Sequence, residues 1–410
     1  MRVCFVSRRF FPAISGMSVY AANLVRELAD AGHDVTMISQ YRGDALGTRI
    51  YGGGPPPAVP GVRVIGLEQT GEQDGGDFER DIAAIVDRIA AEHGREPFDI
   101  LHAQYGYPTG WAVLLASRRL GMPNVVSIQG GDGHWVGSCC ETHRLAMCNV
   151  LDHAGAALIG GESFIDEVTA RLGTARDRFV VVPGAVDTSR FRPADEDRVG
   201  EAEDPPRILF HGRVDRRKGV LDFIDALAIL RNEGVSFRAV VSGIGPDTDA
   251  SAARADALGL GPDRLGFSGY AEYDRAPGLY RDADIFASPT YAEGFSNTIL
   301  EAMASGLAIA SCASVGVVDC LRHDDNALLT EAGNVPAHAA VLRRLIEDTP
   351  LRRRLASAGL AECRATYSWA VVGRQIMGIY DRLRGTAPDV GFAPDLPVTP
   401  CRFRAEPHLL

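Results

Sequence analysis

The sequence predicts an α/β protein with parallel sheets, divided between two domains. Short apolar strands alternate with helices whose apolar residues recur at helical spacing. The 410 residues, 46% of them hydrophobic, are enough for two separate cores. An acidic segment at 195–206, bordered by prolines, has the composition of a linker. We therefore expect a first domain at 1–193, a linker at 194–206 and a second domain at 207–366.

The first domain is predicted to open with a strand, a loop and a helix. A strand at 3–7 leads through the loop 10–16 into a helix at 17–31, which ends at Gly32. Further strands are expected at 33–39, 62–66, 98–102, 124–128, 156–159 and 179–182. Further helices are expected at 78–93 and 163–172, and another, after residue 108, ends at 120. This opening is Rossmann-like but lacks the Gly-x-Gly-x-x-Gly fingerprint, so dinucleotide binding is not indicated.

The second domain is predicted to repeat this alternation. Strands are expected at 207–210, 240–243, 285–287 and 307–310, and helices at 220–233, from 298, at 337–347 and at 351–366. Pro289 ends the strand at 285–287, because proline cannot donate to a sheet ladder. One more helix is expected at 367–384, followed by a proline-rich tail at 385–410 that we expect to be poorly packed.

Composition excludes several classes of function. A net charge of −11 and a pI near 5.4 argue against nucleic-acid binding, which requires clustered Lys and Arg. No apolar run approaches the ~20 residues needed to span a bilayer. The first seven residues are too short for a signal peptide. We expect a cytoplasmic protein, and a local basic patch could still make peripheral membrane contact.

Eight cysteines are scattered along the chain, and three of them are close in sequence to two histidines. Thiolates and imidazoles are zinc ligands. The spacing matches no standard zinc finger, however, and adjacent cysteines seldom bind one ion well. We interpret the cysteines as reduced thiols and expect no metal ion. The residues concerned are His134, Cys139, Cys140, His143 and Cys148.

Two glutamates flank the loop that follows the strand at 285–287. Between Glu293 and Glu301, the segment 294–297 brings backbone N–H groups to a helix N-terminus, which suits a diphosphate. Carboxylates accept hydrogen bonds from adjacent hydroxyls, as in a sugar or a ribose. Together these features fit a sugar nucleotide. An alternative remains open at this stage, in which Thr298 and Glu301 form a capping box and Glu293 is solvated.

Basic residues precede the helix at 220–233. Positive charge is unfavourable at a helix N-terminus, so the helix itself does not explain Arg213 and Lys218. Binding of a diphosphate would explain both residues. The alternative is a solvated basic loop.

The glutamate motif resembles the signature of the retaining glycosyltransferases of family 4. Glu293 and Glu301 are separated by seven residues, with Gly-Phe-Ser-Asn between them and Glu-Ala-Met-Ala-Ser-Gly beginning at Glu301. The resemblance covers roughly residues 1–384 and implies the GT-B fold, in which two Rossmann-like domains have parallel sheets that face each other across a cleft. It also implies a nucleotide-diphosphate sugar bound mainly by the second domain, an acceptor bound mainly by the first, and no cofactor or metal ion.

The resemblance assigns roles to individual residues. Arg213 and Lys218 would stabilise the departing diphosphate, and Glu293 would orient the donor sugar, as the catalytic residues. The donor-binding residues would be Gly16, Gly243, Tyr270, Gly294, Phe295, Ser296, Asn297 and Glu301. The acceptor-side residues would be Gln104, Gln129, Asp132 and His134.

Four positions depart from the family pattern, one of them Pro183, which precedes Gly184 where members usually have asparagine. Ser15 replaces the first of two glycines in the first loop, and Gln104 and Gln129 stand where members often carry histidine. Glutamine cannot titrate near neutral pH, so an imidazole acts here only if His134 substitutes. Alternatively, His134 is a surface histidine in a glycine-rich turn.

The expected function is transfer of a sugar to a sugar, lipid-linked or small-molecule acceptor, in surface polysaccharide or other glycoconjugate synthesis. Two alternatives stay open: a sugar-nucleotide epimerase with the same fold, and a non-catalytic sugar-nucleotide sensor.

Overall fold

A computed structural model describes residues 1–13, 15–45, 52–194 and 205–407, which form two compact units. The first unit comprises 1–183 and the segment from Val372, and the second comprises 184–371. The sequence places this boundary ten residues later, at 193. Residues after 183 belong to the second unit because Val186 donates its N–H to Tyr367 O at 2.8 Å and Phe191 is buried against Tyr280. Residues 195–204 of the predicted linker lie outside the described residues.

The first unit is built on a parallel sheet. Within the described residues it has seven strands, in the order β3-β2-β1-β4-β5-β6-β7. Val3 pairs with Val35 of β2 on one side and with Ile100 of β4 on the other. The strands are β1 Arg2–Ser7, β2 Asp34–Tyr41, β3 Val62–Glu68, β4 Ile100–Gln104, β5 Asn124–Ser127, β6 Ala156–Ile159 and β7 Phe179–Val181.

The connections of the first unit are mostly helical. In Phe78–Arg95, Ile82, Ile85 and Ile89 are buried at helical spacing, as an amphipathic helix on a sheet requires. The other helices of this part of the chain are Gly16–Asp30, Thr70–Gln73, Trp111–Leu120, Gly131–His134, Glu141–His153 and Glu162–Leu172. Short helical turns occur at Gly106–Gly110, Val136–Ser138 and Arg176–Arg178.

The second unit repeats the topology of the first. Its described residues form a six-stranded parallel sheet in the order β10-β9-β8-β11-β12-β13. Ile285 of β11 pairs with Ile208 of β8 and with Ala308 of β12. The strands are β8 Arg207–His211, β9 Arg238–Ser242, β10 Leu265–Gly269, β11 Ile285–Ser288, β12 Ala308–Cys312 and β13 Leu328–Thr330.

Helices cover both faces of the second sheet. On one face, Phe210 stacks on Phe223 with ring centroids 5.7 Å apart, inside a core that also includes Leu342 and Leu355. On the other face, Ile299 and Met303 pack with Tyr280. The helices are Val220–Asn232, Thr248–Ala257, Ala276–Arg281, Asn297–Ala304, Val335–Glu347 and Thr349–Thr366, with a short turn at Arg216–Lys218.

The last long helix, Trp369–Leu383, starts in the second unit and belongs to the first from Val372 onward. Most described residues of the tail beyond it are exposed, but two aromatic side chains anchor it. Phe392 and Phe403 are buried, and Phe392 O accepts a hydrogen bond from Arg118 Nη1 at 2.5 Å. Buried aromatic rings and a short helix at Arg402–Ala405 hold the tail on the first unit.

Element types were predicted more accurately than element ends. The strand predicted at 98–102 is Ile100–Gln104, and the one predicted at 240–243 is Arg238–Ser242. Several elements were not predicted: the helices Glu141–His153, Thr248–Ala257 and Ala276–Arg281 and the strands Leu265–Gly269 and Leu328–Thr330. No helix in the described part of the chain combines the length and apolar character that crossing a bilayer requires.

Candidate functional site

The topology marks one edge of each sheet as the place where a ligand can bind. In the second sheet, β8 lies between β9 and β11, so the chain leaves neighbouring strands towards opposite sides. Open parallel sheets bind ligands at such a switch point, beyond the carboxyl ends of the strands. Here those ends are His211 of β8 and Ser288 of β11. The predicted residues Arg213 and Lys218 follow β8, and Glu293 and the segment 294–297 follow β11.

Lys218 and Glu293, predicted separately as catalytic residues, are in direct contact. Lys218 Nζ lies 2.7 Å from Glu293 Oε2, and their side chains are 35% and 13% exposed. The backbone joins the two loops as well, since Tyr291 N donates to Arg217 O at 3.0 Å. A cation and a carboxylate therefore share the mouth between β8 and β11.

Glycines allow these two loops to come close together. Gly219 has φ +73°, and a side chain there would collide with the carbonyl of Pro289. Gly316 has φ +75° and packs in the same way against the carbonyl of Glu293. The N–H of Glu293 donates to Val315 O at 2.9 Å. Gly219 and Gly316 thus hold the Glu293 loop from two sides, each at a position where a side chain would not fit.

An aspartate organises the basic loop after β8. Asp215 accepts from Arg217 N at 2.9 Å, pairs with Arg217 Nη2 at 2.6 Å, and lies 3.5 Å from Arg213 Nε. Burial alone would raise the pKa of Asp215. The hydrogen bonds from Arg217 and the charge of Arg213 outweigh this effect, so the pKa lies below its ordinary value. The loop is therefore more ordered than a solvated basic segment. Nothing in the sequence pattern had distinguished Asp215 as an anchor.

The segment 294–297 leads into the helix Asn297–Ala304, as predicted. Ser296 is its N-cap and makes no side-chain cap hydrogen bond; its hydroxyl lies 3.2 Å from Thr298 Oγ1. Gly294 is buried, and the Phe295 ring packs on Tyr367 with centroids 5.7 Å apart. Phe295 can therefore serve a donor through its backbone, while its ring supports the fold.

Glu301 does not act as the capping glutamate that its spacing allowed. It is buried, and its Oε2 accepts a hydrogen bond from the hydroxyl of Tyr280 at 2.7 Å. Burial raises the pKa of Glu301 to about 7, although the hydrogen bond from Tyr280 and the charge of Arg190 oppose the shift. A buried carboxyl with one oxygen held in place is suited to accept hydrogen bonds from the hydroxyls of a ribose. Nothing in the sequence pattern had singled out Tyr280.

The raised pKa of Glu301 predicts a pH-dependent effect on stability. The folded protein holds this proton up to about pH 7, whereas an exposed glutamate ionises near about 4.3. The protonated Glu301 therefore contributes its full stabilisation below the pKa of glutamate in the unfolded chain. This contribution is lost as the pH rises through the pKa of Glu301 in the folded protein. Glu301→Gln cannot ionise, so its denaturation midpoint should improve relative to wild type between about pH 5 and pH 8. Equal pH profiles of the two proteins would contradict the assignment, and the exposed Glu347→Gln serves as the control.

Gly243 and Tyr270 lie at the ends of β9 and β10. Gly243 has φ +138° and packs against the carbonyl of Gly212, and its N–H donates to Gly269 O at 2.7 Å. Tyr270 follows directly and is 42% exposed, as is the neighbouring apolar Ile244 at 49%. The exposed ring of Tyr270 offers a surface on which a base could stack.

In the first unit, Gln104 connects the ends of β1, β4 and β5. It is fully buried, accepts from Ser7 Oγ at 2.8 Å, and donates to Met17 O at 2.8 Å and to Gln129 Oε1 at 3.1 Å. Gln104 therefore supports the site and orients Gln129, which is half-buried. Of the two glutamines, Gln129 is the better placed to contact a ligand.

Asp132 is a support for its loop rather than an acceptor contact, which revises its predicted role. It is fully buried, and its oxygens accept from the backbone N–H groups of Gly106, Gln129 and Gly130 at 2.8, 2.9 and 3.0 Å. Burial raises the pKa of Asp132 to about 6 against these hydrogen bonds. The neighbouring Tyr105 has φ +84°, an uncommon conformation for a non-glycine residue that the sequence did not reveal.

His134 does not take the place of the missing imidazole. Its Nδ1 lies 2.9 Å from Glu167 Oε2, and its ring packs on Phe164 with centroids 4.7 Å apart. It faces the helix Glu162–Leu172, and it is buried, not the surface histidine of the alternative interpretation. His102 lies within β4, where burial lowers its pKa to about 3 and its ring nitrogens contact Tyr380 and Ser127.

The start of the first helix combines a cap with an exposed glycine. Ser15 caps the helix by accepting from Ser18 N at 3.2 Å, which explains a serine at this position. Gly16 follows it and is exposed. Beside this loop is a recess whose cationic lining residues are Arg8, Arg9 and Arg42.

Two family models match nearly adjacent parts of this chain. A model described as glycosyl transferase 4-like domain matches residues 15–185, and one described as glycosyl transferases group 1 matches residues 191–361. The D-inositol 3-phosphate glycosyltransferase of Xylanimonas cellulosilytica is 28% identical over 89% of this chain and 91% of its own length. The one of Salinispora arenicola is 28% identical over 89% and 86%.

Solved structures share the fold. Sucrose-phosphate synthase from Thermosynechococcus elongatus has a TM-score of 0.75 and 20% identity, over 93% of this chain and 98% of its own. Anabaena Alr3699/HepE in complex with UDP has a TM-score of 0.72 and 18% identity, over 93% and 100%. The lipopolysaccharide glycosyltransferase WaaG has a TM-score of 0.65 and 16% identity, over 94% and 100%.

Proposed function

The chain belongs to the group 1 glycosyltransferases of the GT-B fold, and from this we propose that it transfers a sugar from a nucleoside diphosphate to an acceptor hydroxyl with retention of configuration. The contact between Lys218 and Glu293 at the switch point of the second sheet carries the proposal. An ammonium group suits phosphate oxygens, and a carboxylate accepts hydrogen bonds from sugar hydroxyls. Both ends of a sugar diphosphate thus find partners at one place.

In the proposed reaction, the bond between the anomeric carbon and the diphosphate oxygen breaks while the acceptor oxygen bonds to the same face of that carbon. The acceptor proton passes to the departing phosphate oxygen, so this scheme needs no protein nucleophile. Arg213, Lys218 and the N-terminus of the helix Asn297–Ala304 offset the charge that develops on the diphosphate. The scheme assigns this task to protein groups and not to a metal ion.

A phosphorylated polyol is one acceptor class that the first unit favours. The recess beside the first helix is lined by Arg8, Arg9 and Arg42. Glu72 pairs with Arg8 at 2.6 Å and Asp44 pairs with Arg42 at 2.8 Å, so carboxylates hold two of these guanidinium groups in place. The relatives named D-inositol 3-phosphate glycosyltransferase make such an acceptor a reasonable candidate. Sugars and lipid-linked glycans at the cytoplasmic membrane surface are the other classes that we propose to test.

Proton NMR of the purified chain tests the reaction. UDP-, GDP- and ADP-sugars with α linkage are supplied first alone and then with phosphorylated polyols, free sugars or lipid-linked sugars. We expect one donor to be consumed and an α-linked product to accumulate from the first turnover. The Glu293→Gln variant should lose most of this activity.

Each other outcome counts against the proposal. A β-linked product would contradict retention. A new nucleotide sugar formed without acceptor would identify an epimerase. Tight donor binding with no turnover under any acceptor would identify a sensor. Activity that is abolished by a chelator and restored by added Mg²⁺ would contradict the metal-independent scheme.

A further inference from the structure

Four potential metal ligands from distant parts of the chain converge in the first unit. Their ligand atoms all lie within 4.8 Å of one another, and they are the Sγ atoms of Cys139, Cys140 and Cys401 and an imidazole nitrogen of His143. His143 is buried, and the three cysteines are half-buried. The sequence placed three of these residues together but gave no reason to add Cys401, which is more than 250 residues away.

The distances between these atoms resemble the edges of a tetrahedron. Cys139 Sγ lies 3.9 Å from Cys140 Sγ and 4.0 Å from Cys401 Sγ, and Cys401 Sγ lies 3.8 Å from His143 Nδ1. Zinc bonds of about 2.3 Å to sulfur and 2.0–2.1 Å to nitrogen in tetrahedral geometry give edges of roughly 3.5–3.8 Å. One edge is shorter, since Cys139 Sγ and His143 Nδ1 are 2.7 Å apart. Metal binding would have to lengthen that contact by about 1 Å.

Local structure prepares three of the ligands. Cys140 is the N-cap of the helix Glu141–His153, and His143 lies in its first turn, so one helix end presents both side chains. The partial positive charge at a helix N-terminus favours thiolates, which are the ligand form of cysteine. Cys139 precedes the N-cap residue, and its Sγ contacts Cys140 Sγ and His143 Nδ1.

The tail brings the fourth ligand by contacts that do not depend on a metal. Thr399 N donates to Thr142 Oγ1 at 2.8 Å, and Thr142 N donates to Thr399 Oγ1 at 3.2 Å. Two residues later Cys401 caps a short helix, in which Arg404 pairs with Glu79 at 2.6 Å. These contacts flank Cys401 on both sides, so its thiol is directed at the other three ligands before any ion binds.

We propose that Cys139, Cys140, His143 and Cys401 form a structural zinc site that fastens the C-terminal tail to the first unit. Three thiolates and one imidazole are a standard ligand set for zinc, and four protein ligands leave no open position for a substrate. Zinc binding displaces the thiol protons to solvent, so affinity should fall as pH is lowered. This proposal is independent of the glycosyl-transfer proposal.

Titration of the full-length, reduced and chelator-treated chain with Co²⁺ tests the site. We expect one Co²⁺ per chain, with the visible bands of tetrahedral cobalt and the near-ultraviolet bands of thiolate ligation, and we expect added Zn²⁺ to bleach both. Cys401→Ser should lose the thiolate bands in part and bind at least ten-fold more weakly. Cys148→Ser is the matched control, because Cys148 lies near in sequence but its Sγ contacts Leu172 O at 3.6 Å.

Proteolysis supplies a second readout that does not require a variant. Zinc loading of the wild-type chain should slow trypsin cleavage at Arg402 and Arg404, because it orders the segment around Cys401. Absence of tetrahedral cobalt bands in the folded, reduced wild-type chain would overturn the proposal. So would equal metal affinity of the Cys401→Ser and Cys148→Ser proteins. If Cys401→Ser fails to fold, Cys140→Ser is used in the same comparison.

Discussion

Replacing Lys218 with alanine is expected to lower kcat about 100- to 1000-fold, the range seen when one preorganised donor is removed from a developing negative charge. Lys218 Nζ is held by Glu293 at 2.7 Å, and its side chain keeps 35% of its surface exposed. The ammonium group can therefore reach a diphosphate while it stays in contact with the carboxylate. Charge on the diphosphate grows as the glycosidic bond breaks, so kcat should fall more than KM rises.

Arg217→Ala is the matched control for this variant. Arg217 is the preceding residue of the same loop, but its guanidinium pairs with Asp215 at 2.6 Å and is 61% exposed. Its backbone carbonyl, which accepts from Tyr291, is retained in the variant. We expect a change in kcat of at most a few-fold. Comparable losses in Arg217→Ala and Lys218→Ala would mean that the loop acts through its overall charge or its order, and not through the Lys218 ammonium group.

Glu293→Gln is expected to lower kcat/KM for the donor about 10- to 150-fold, which corresponds to the 1.5–3 kcal/mol of a hydrogen bond to a charged group. Glutamine keeps the size of the side chain but has neither the charge that holds Lys218 nor a second acceptor oxygen. The Glu293 backbone stays anchored through Val315, so the fold should be unaffected. Steady-state kinetics with the donor varied at saturating acceptor measure the effect.

The double variant Lys218→Ala/Glu293→Gln tests whether the two residues act together. Because they are in contact, the combined loss should be smaller than the product of the single losses. The exposed Glu347→Gln should behave as wild type. Fully multiplicative losses would show that the contact between Lys218 and Glu293 has no part in catalysis.

The contact between Lys218 and Glu293 was foreseeable because of topology. Each follows a strand of a parallel sheet, and the carboxyl ends of neighbouring strands meet at one edge. The glycine-rich loops and the helix after the glutamate gave the same conclusion from local chemistry. Short-range sequence patterns were therefore enough to predict that the loops after β8 and β11 meet at one edge of the sheet.

Features that depend on distant pairing were not foreseeable. Tyr280 bonds to Glu301 across 21 residues, and Gln104 reaches Ser7 and Gln129 across 97 and 25 residues. The thiol of Cys401 lies 4.0 Å from that of Cys139, although the two residues are 262 positions apart in the sequence. Such partners have no signature in the local pattern, because core packing decides which side chains meet. For the same reason a buried Asp132 looked like a ligand contact although backbone amides surround it.

The most direct test of donor binding by the second unit is a calorimetric comparison of nucleoside diphosphate and monophosphate. Wild type is titrated with the diphosphate and the monophosphate of the donor nucleoside, and Lys218→Ala is titrated in the same way. Wild type should prefer the diphosphate, and the variant should lose most of that preference while its affinity for the monophosphate changes little. An undiminished preference in Lys218→Ala would contradict the assignment of the diphosphate to the mouth between β8 and β11.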